Sequence, residues 1–368
     1  MSETIYIDLH VVQTVPPSCL NRDDTGSPKT AIYGGVQRAR VSSQSWKRAV
    51  RKMFKENLDE AELGTRTKKI VEMVAERIEA NSEFSHERAM ELAESIIGAA
   101  GVKTAANKKT GVQEAQALFF MSDQQAMNLA NLVLTEENAS KKQAQEALNQ
   151  GHGIDVALFG RMVADDPSLN ADASAQVAHA ISTHRVDIEY DYFTAVDDRA
   201  PEDNAGAGMI GTVEFDSATL YRYATVAVHE LFGQLAENTE ATARAMTEFT
   251  KAFVNSMPTG KQNTFANRTP ADAVLVCIRT DQPINLVGAF EETVKAKSDE
   301  SGFVAQSIDK LSKYNLNVIS TFVDAPMKSW CIGADIDGAE KLTDMATLLA
   351  SISDFITQTF SSAASSEA

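Results

Sequence analysis

Eight basic residues lie close together near the N-terminus of this chain, with no acidic residue among them. They fall between Thr25 and Lys55 and comprise Lys29, Arg38, Arg40, Lys47, Arg48, Arg51, Lys52 and Lys55. The chain of 368 residues carries a formal net charge of −17, from 34 basic and 51 acidic residues. An acidic protein that keeps cations together without counter-charges is expected to hold an anion there, and phosphate groups are suitable candidates.

Five of these cations recur at helical spacing, which predicts a basic helix. One face would carry Gln44, Lys47, Arg48, Arg51, Lys52 and Lys55, and the opposite face would carry Trp46, Ala49, Val50 and Met53. Ser42 or Ser43 is expected to cap the helix, whose free N–H groups and positive dipole end suit phosphate. The alternative is a solvated charged face. Such faces normally mix signs to form ion pairs one turn apart, and this one does not.

Three other patterns suggest chemistry but lack the context that the chemistry requires. Residues 206–211 match G-x-G-x-x-G, yet a strand follows where a dinucleotide site needs a helix. His179 and His184 are not at metal-ligand spacing, so packed or hydrogen-bonded side chains are expected. Asp23 and Asp24 could bind a metal for hydrolysis, but a role in a turn is the favoured interpretation because Asp favours turns.

Three segments could contact the bases or phosphates of a nucleic acid. Tyr192 and Phe193 end a predicted strand, and residues 160–162 follow an apolar stretch. Exposed aromatic and methionine side chains can stack on bases, although these residue types are more often buried. Lys261 lies in a polar turn, residues 260–264, that could bind phosphate or could be a solvated loop.

Composition predicts a soluble globular protein and gives no signal for a cofactor, a metal site or a catalytic residue. Hydrophobic residues make up 43% of the chain and charged residues 23%. Three scattered cysteines and no visible signal peptide favour the cytoplasm. The longest apolar stretch, residues 273–278, is too short to span a bilayer, so no membrane association is expected.

The predicted elements mix strands and helices without a regular repeat, which favours an α+β fold. Strands are expected around residues 5–9, 36–41, 186–193, 212–228 and 273–278, with an edge-to-core strand first and a loop over 15–29. Helices are expected through residues 59–150, interrupted by a loop at 101–111, and at 239–255, 304–314 and 339–360. An irregular segment, residues 194–211, separates two strands of a predicted long ribbon.

Several blocks of this sequence resemble one known family. They read SCLNRDD at 18–24, AIYGG at 31–35, RVSSQSWKRA at 40–49, GRM at 160–162, AHAISTH at 178–184, DYFTAVDD at 191–198, YRYA at 221–224, GKQ at 260–262 and TFA at 264–266. These blocks resemble the CasC family, which forms the backbone of the type I-E CRISPR surveillance complex called Cascade. The C-terminal hundred residues and the helical insertion are less distinctive.

The resemblance implies a hand-like α+β fold with an RRM-like (ferredoxin-like) palm, an inserted helical finger domain and a β-hairpin thumb. The implied boundaries are 1–58 for the first part of the palm, 59–180 for the finger, 181–228 for palm strands and thumb with its tip at 194–211, and 229–368 for the rest of the palm and the C-terminal helices.

The resemblance also implies which residues contact the CRISPR RNA (crRNA). The contacts to the RNA backbone are Arg22, Lys29, Ser42, Gln44, Lys47, Arg48, Arg51 and Lys261. A wedge that kinks the RNA consists of Tyr192, Phe193 and Thr194, with Arg161 and Met162 nearby. Possible contacts to target DNA are Lys103, Lys108, Lys109, Lys141 and Lys142. A relative can carry Trp where this chain has Tyr192.

The sequence therefore predicts a non-catalytic subunit that oligomerises head-to-tail along one crRNA. Its expected partners are that RNA, target DNA by way of the RNA, further copies of itself and other Cascade subunits. Two alternatives stay open: a metal-dependent ribonuclease that uses Asp23 or Asp24, and a generic RNA-binding module unrelated to CRISPR.

Overall fold

The fold was analysed in a computed structural model that describes residues 4–136, 139–163, 166–195, 199, 209–298 and 301–366. Its strands are β1 (Tyr6–Ser18), β2 (Thr30–Tyr33), β3 (Val36–Val41), β4 (Gly64–Thr67), β5 (Thr104–Ala106), β6 (Gln113–Ala115), β7 (Phe119–Ser122), β8 (Ala175–Val177), β9 (Ala180–Ser182), β10 (Glu189–Ala195), β11 (Met209–Ala227), β12 (Ala273–Arg279), β13 (Lys328–Ile332) and β14 (Glu340–Lys341).

The helices alternate with these strands along the chain. They are α1 (Ser43–Asn57), α2 (Ile70–Ala80), α3 (His86–Ala99), α4 (Asp123–Thr135), α5 (Lys141–Asn149), α6 (Ile154–Phe159), α7 (Val228–Gln234), α8 (Thr239–Asn255), α9 (Gln262–Phe265), α10 (Val304–Thr321) and α11 (Met345–Ser366). The mixed α+β class is therefore as predicted. Within the described residues, no helix has the length and apolar character needed to cross a membrane.

Strand β1 lies at the centre of the main sheet, whose order is β14-β13-β12-β1-β11-β9-β3-β2. It pairs antiparallel with β11 on one side and β12 on the other. The sequence predicted an edge-to-core strand followed by a loop from residue 15. The strand is instead paired on both edges, and the loop begins later than predicted, because β1 runs on to Ser18 with a register shift after Val15.

Helices cover both faces of this sheet. On one face, Ile7 and Leu9 of β1 pack with Phe54 of α1, Phe249 of α8 and Ile352 of α11. On the other face, a second apolar cluster joins Val12, Leu275 and Cys277 of the sheet with Phe290 and Leu311. Burial on both faces explains why β12 reads as a continuous apolar run, since a strand covered on both faces loses the alternation of a half-exposed strand.

Two polar residues of β1, Asp8 and His10, are also buried, and each side chain has a hydrogen-bond partner. The Tyr223 hydroxyl lies 2.9 Å from an oxygen of Asp8, and the Tyr221 hydroxyl lies 2.9 Å from Nδ1 of His10. Burial is the main cause that raises the pKa of Asp8 to about 6 and lowers the pKa of His10 to about 3. Buried polar groups without partners are costly, so these hydrogen bonds stabilise the burial of Asp8 and His10 between the apolar residues of β1.

Helices α2 to α5 form a subdomain with its own apolar core. Ile70, Val74 and Ile78 of α2 pack against Leu129 of α4 and Leu148 of α5 in that core. The predicted helical insertion is thus present, but it also contains two small sheets, β4–β7 and β5–β6. Strands of three or four residues are too short for an alternating pattern to identify them. Strand β5 lies within the predicted 101–111 loop, and β6 follows that loop.

The predicted ribbon is present as an antiparallel pair of strands, β10 and β11. All seven residues of β10 are exposed, whereas β11 continues past the pair and becomes a buried strand beside β1. We call residues 189–195 and 209–215 the exposed hairpin. Residues 196–198 and 200–208 of the predicted tip, which include the first three residues of the G-x-G-x-x-G match, lie outside the described residues.

The C-terminal third agrees with the sequence pattern in its main elements. Helix α8 has the predicted bounds, and β12 is buried along its whole length. Helix α10 runs further than predicted, to Thr321, and the last helix begins at Met345 rather than near residue 339 because β14 occupies residues 340–341. The short strand β13 has no clear signal in the sequence.

Candidate nucleic-acid interface

Helix α1 divides into an apolar and a basic face, as predicted. Trp46, Ala49 and Val50 are buried as predicted. Met53 is only half-buried, and Phe54, which the predicted apolar face did not include, is buried as well. Arg48, Lys52 and Lys55 are exposed on the other side, together with Gln44. Lys47 and Arg51 are half-buried at the edge of that face.

The start of α1 is held by side chains from other segments rather than by its own serine. Ser42 occupies the cap position, but its hydroxyl accepts no hydrogen bond from the first turn. Instead, the Ser42 N–H donates to Oδ1 of Asn21 at 2.9 Å, and the Ser43 N–H donates to Nδ1 of His179 at 3.3 Å. The expectation of a hydrogen-bonded His179 is confirmed, and the capping prediction is corrected.

A cleft of about 570 Å³ lies beside the basic face. Three segments that are far apart in sequence line it: residues 20–26, the α1 residues Ser45, Arg48, Ala49 and Lys52, and residues 257–261. The cleft thus brings together Arg22, Arg48 and Lys261, which the sequence predicted as RNA contacts, and adds Lys52. A Cβ at Gly260 would lie 2.2 Å from the carbonyl oxygen of Leu20, so this close approach of two loops requires glycine.

The cations around the cleft have no acidic partner. Across the described ranges, no salt bridge includes Arg22, Lys29, Lys47, Arg48, Arg51, Lys52, Lys55 or Lys261. Burial, and then the neighbouring Arg51, lower the pKa of Lys47. Burial also lowers the pKa of Arg51, against the attraction of Asp155. A bound anion would relieve both effects, because opposite charge favours the protonated form.

Two arginines of the predicted basic segment have structural roles. Arg38 is fully buried and donates to the carbonyl oxygens of Ser182 at 2.9 Å and Phe290 at 2.8 Å. Arg40 donates through Nε to the carbonyl oxygen of Thr30 at 3.1 Å. The anion-binding group predicted from the sequence is therefore smaller than eight cations, since Arg38 in particular cannot reach a ligand.

Arg161 was predicted to contact RNA, and the structure corrects this. Its side chain is only 5% exposed and donates to the carbonyl oxygens of Leu169 at 3.0 Å and Phe120 at 3.1 Å. Burial lowers its pKa to about 10. Its neighbour Met162 is 81% exposed, against the usual preference of methionine for the core, so Met162 alone of this pair is available to a ligand.

The aromatic residues of the exposed hairpin lie on both of its faces. Tyr190 and Tyr192 share one face and are 67% and 63% exposed, whereas Phe193 lies on the other and is 39% exposed. Phe193 pairs with Gly211, where an added Cβ would lie 2.4 Å from the Phe193 ring. A side chain at position 211 would therefore displace the Phe193 ring from its present place. Thr194 is exposed beside it, and the exposed Tyr190 was not predicted as a site residue.

The lysines predicted to contact DNA fall into two groups. Lys103, Lys108 and Lys109 are exposed at and near the turn between β5 and β6. Lys141 lies 3.0 Å from Asp166, and Lys142 lies 3.7 Å from Glu146, in salt bridges within the helical subdomain. Exposed pairs of this kind are weak and can exchange partners, so they differ from the unpaired cations at the cleft.

Asp23 forms a turn of the kind that the sequence favoured. Its carboxylate accepts hydrogen bonds from the N–H groups of Thr25 at 2.9 Å and Ser27 at 3.0 Å, and from the Thr25 hydroxyl at 2.7 Å. These hydrogen bonds lower the pKa of Asp23, and the bond from the Thr25 hydroxyl has the largest effect. Among the residues whose positions are described, no group of three or more His, Cys, Asp or Glu side chains could hold a metal ion.

Two aromatic rings at the edge of the basic face were not found by sequence reasoning. The Lys47 ammonium lies 5.5 Å from the centroid of the Phe159 ring, and the Arg51 guanidinium lies 5.2 Å from the same centroid. Phe120 approaches Arg51 from another side at 5.1 Å. No local pattern could identify these contacts, because the rings come from β7 and α6.

The fold and the site together define a mixed α+β protein that carries unpaired cations around a cleft and an exposed aromatic hairpin. The chain belongs to the family of CT1975-like proteins, whose family model matches residues 7–358. This membership confirms the resemblance found in the sequence.

Two solved structures are similar to the chain over nearly its whole length. One is a chain of a "CRISPR RNA-guided surveillance complex, pre-nicking", with 29% identity, a TM-score of 0.78, and coverage of 95% of this chain and 100% of that chain. The other is a chain of a "CRISPR RNA-guided surveillance complex", with 25% identity, a TM-score of 0.66, and coverage of 94% and 99%. No curated protein matches the chain.

Proposed function

We propose that this protein is a non-catalytic backbone subunit of a Cascade complex and that it holds crRNA by its phosphates. The observation that carries the proposal is the set of unpaired cations around the cleft: Arg22, Arg48, Lys52 and Lys261, with Lys47 and Arg51 beside them. Membership of the CT1975-like family and the likeness to chains of RNA-guided surveillance complexes support the same function.

A backbone grip of this kind suits a guide whose sequence varies. Protein cations that bind phosphates fix the position of a strand and leave the base edges free to pair with a target. The arrangement favours phosphates because four lysine and arginine residues line the cleft against two acidic residues, Asp23 and Asp24, and the Asp23 carboxylate is engaged in its own turn. Lys29 and Gln44 complete the proposed backbone contacts. Ser42 is not included, because its side chain is buried and its N–H already donates to Asn21.

The exposed hairpin is proposed to act as the thumb that kinks the RNA. Tyr192, Phe193, Thr194 and the exposed Met162 offer apolar surface that stacks on any base, because every base has a π face. Kinking at intervals would divide the guide into short segments that pair with target DNA. The type I-E class of the complex belongs to this same proposal, as do the palm, finger and thumb boundaries given above.

Further copies of the chain are proposed to stack head-to-tail along the crRNA, with other Cascade subunits bound to this filament. Lys103, Lys108, Lys109, Lys141 and Lys142 are proposed to approach target DNA, the last two after exchange of their present acidic partners. Since Arg161 is buried, it is not included among the RNA contacts.

The ribonuclease alternative is not favoured by the geometry. Oδ1 of Asp23 accepts three hydrogen bonds within its own turn, and among the described residues no group of three or more His, Cys, Asp or Glu side chains could hold a metal ion. Incubation of the purified complex with matching RNA and Mg²⁺ is expected to leave that RNA intact. Cleavage that is abolished by Asp23→Ala would contradict a non-catalytic role.

The proposal is tested by native purification after co-expression with the other subunits and a repeat array. Wild-type protein is expected to carry RNA of one defined length, whereas Arg48→Glu with Lys52→Glu should recover little RNA. A matched control reverses two lysines outside the cleft, Lys313 and Lys341, each paired with an acidic residue, and should recover RNA as the wild type does. Nucleic-acid-free wild-type protein would refute the proposal, and RNA of many lengths would favour a generic RNA-binding module.

A further inference from the structure

Two cations of the basic helix share one aromatic ring. Lys47 and Arg51 are four residues apart, about one helical turn, so their side chains extend over the same neighbouring surface. That surface is the ring of Phe159, at 5.5 Å from the Lys47 ammonium and 5.2 Å from the guanidinium carbon of Arg51. Phe120 adds a second ring beside Arg51, at 5.1 Å.

The Phe159 ring is itself held in place by the protein core. Its centroid lies 6.3 Å from the ring of Phe54 and 6.0 Å from the ring of Phe249, and both of those side chains are fully buried. Phe159 is half-buried, so one side of the ring packs inward and the other meets the two cations. A ring fixed in this way can fix the direction of side chains that stack on it.

Stacking is the main interaction that orients these two cations. In the part of the chain that the structure describes, neither the Lys47 ammonium nor the Arg51 guanidinium forms a salt bridge, and the buried Nε of Arg51 has no hydrogen-bond acceptor. Asp155 attracts Arg51 over a longer distance, but the Asp155 carboxylate accepts a hydrogen bond from the Gly64 N–H at 2.8 Å. The donors at the ends of both side chains therefore stay unused.

We infer that Phe159 is a positioning residue for the RNA backbone: its ring holds Lys47 and Arg51 in the directions in which both reach phosphates of a single-stranded RNA. The ring does not contact the RNA. Because the ring already restricts these two long side chains, they lose less conformational entropy when they bind RNA. This inference rests on the proposed function, since it assigns a role within the same phosphate-binding surface.

The test compares binding of a short fluorescein-labelled single-stranded RNA to the full-length chain and its variants. Phe159→Leu is expected to weaken binding about 3- to 10-fold, in the range of one or two cation–π contacts. Phe159→Tyr keeps the π face and should bind within about twofold of wild type. Phe303→Leu is the matched control and should leave affinity unchanged, because this half-buried ring packs on the opposite face of the sheet and stacks on His184.

A second comparison separates positioning from a general loss of fold. In a Lys47→Ala, Arg51→Ala background, adding Phe159→Leu should cause no further loss of affinity, because the side chains that the ring positions are absent. Equal losses in both backgrounds, or a Phe159→Leu variant that binds like wild type, would overturn the inference. If Phe159→Leu does not fold, Phe159→Met keeps a similar volume without a π face and replaces it in both comparisons.

The proposed function and this inference fail in different ways. Wild-type protein that does not bind the RNA would refute the proposed function. Wild-type protein whose binding is weakened by Lys47→Ala with Arg51→Ala, yet is unaffected by Phe159→Leu, would refute only the role of Phe159.

Discussion

The guanidinium carbon of Arg222 lies 3.7 Å from the centroid of the Trp46 ring. Trp46 is the central buried residue of α1, and Arg222 belongs to β11, the strand that also forms the exposed hairpin. Arg222 is 1% exposed and donates to Oε1 of Gln13 at 2.6 Å and to the carbonyl oxygens of Phe253 and Val254. One buried stack thus joins the two elements of the proposed RNA-binding surface.

We predict that Arg222→Lys lowers the free energy of unfolding by about 2–4 kcal/mol, because lysine lacks the planar fork that stacks on the ring and bonds several acceptors at once. Burial lowers the pKa of Arg222 to about 9, because almost no water reaches this side chain. Urea denaturation measures the change. Arg185→Lys, at an exposed arginine paired with Asp187, should change stability by less than about 0.5 kcal/mol. Equal effects of the two substitutions would contradict this role of Arg222.

We predict that Lys47→Ala with Arg51→Ala weakens RNA binding about equally for all sequences. The logarithmic salt dependence of affinity should decrease by roughly 1.4–2, since each lost phosphate contact removes about 0.7–1 for a single strand. Titration at several salt concentrations with RNAs of unrelated sequence checks both points. A loss confined to some sequences would mean that these side chains read bases.

We predict that Phe193→Ala leaves the chain folded and impairs assembly or target pairing. The ring is 39% exposed on the hairpin, so its removal should cost less than about 1 kcal/mol of stability. A gel-shift assay of the assembled complex with matching DNA measures the functional effect. Phe322→Ala, at a phenylalanine that is 77% exposed outside the hairpin, serves as the control and should pair normally. An unfolded Phe193→Ala variant would instead assign Phe193 to the core.

We predict that Asp216→Asn stabilises the protein at pH 8 but not at pH 4. Burial raises the pKa of Asp216 from 3.8 to about 6, so the folded protein retains a proton that the unfolded chain loses between these values. The stability that this proton provides is full at low pH and is lost as the pH rises through about 6. Above that pH the buried charge costs up to about 3 kcal/mol.

Denaturation curves at the two pH values test the Asp216 prediction. The substitution should raise the free energy of unfolding by about 1–3 kcal/mol at pH 8. Asp187→Asn, at an exposed residue of the same region, should show no such dependence on pH. A gain of the same size at both pH values would mean that the asparagine packs better, and that ionisation of Asp216 is not the cause.

The sequence alone determined the features that depend on neighbours along the chain. The spacing of Trp46, Lys47 and Arg51 defined a helix with an apolar and a basic face, and alternation defined the strands of the exposed hairpin. The bounds of α8 and the buried strand β12 followed from local patterns in the same way. The motif blocks identified the family, because a motif is recognised from the order of its residues along the chain and does not require the three-dimensional structure.

Only the tertiary structure decided which side chains are available. Arg38 and Arg161 look like Arg48 in the sequence, yet both are buried because carbonyl groups from distant segments surround them. Methionine is usually a core residue, yet Met162 is exposed. The cleft, the capping of α1 by Asn21 and His179, and the ring beneath Lys47 all join residues far apart along the chain. Such contacts depend on how the elements pack, and no local pattern encodes them.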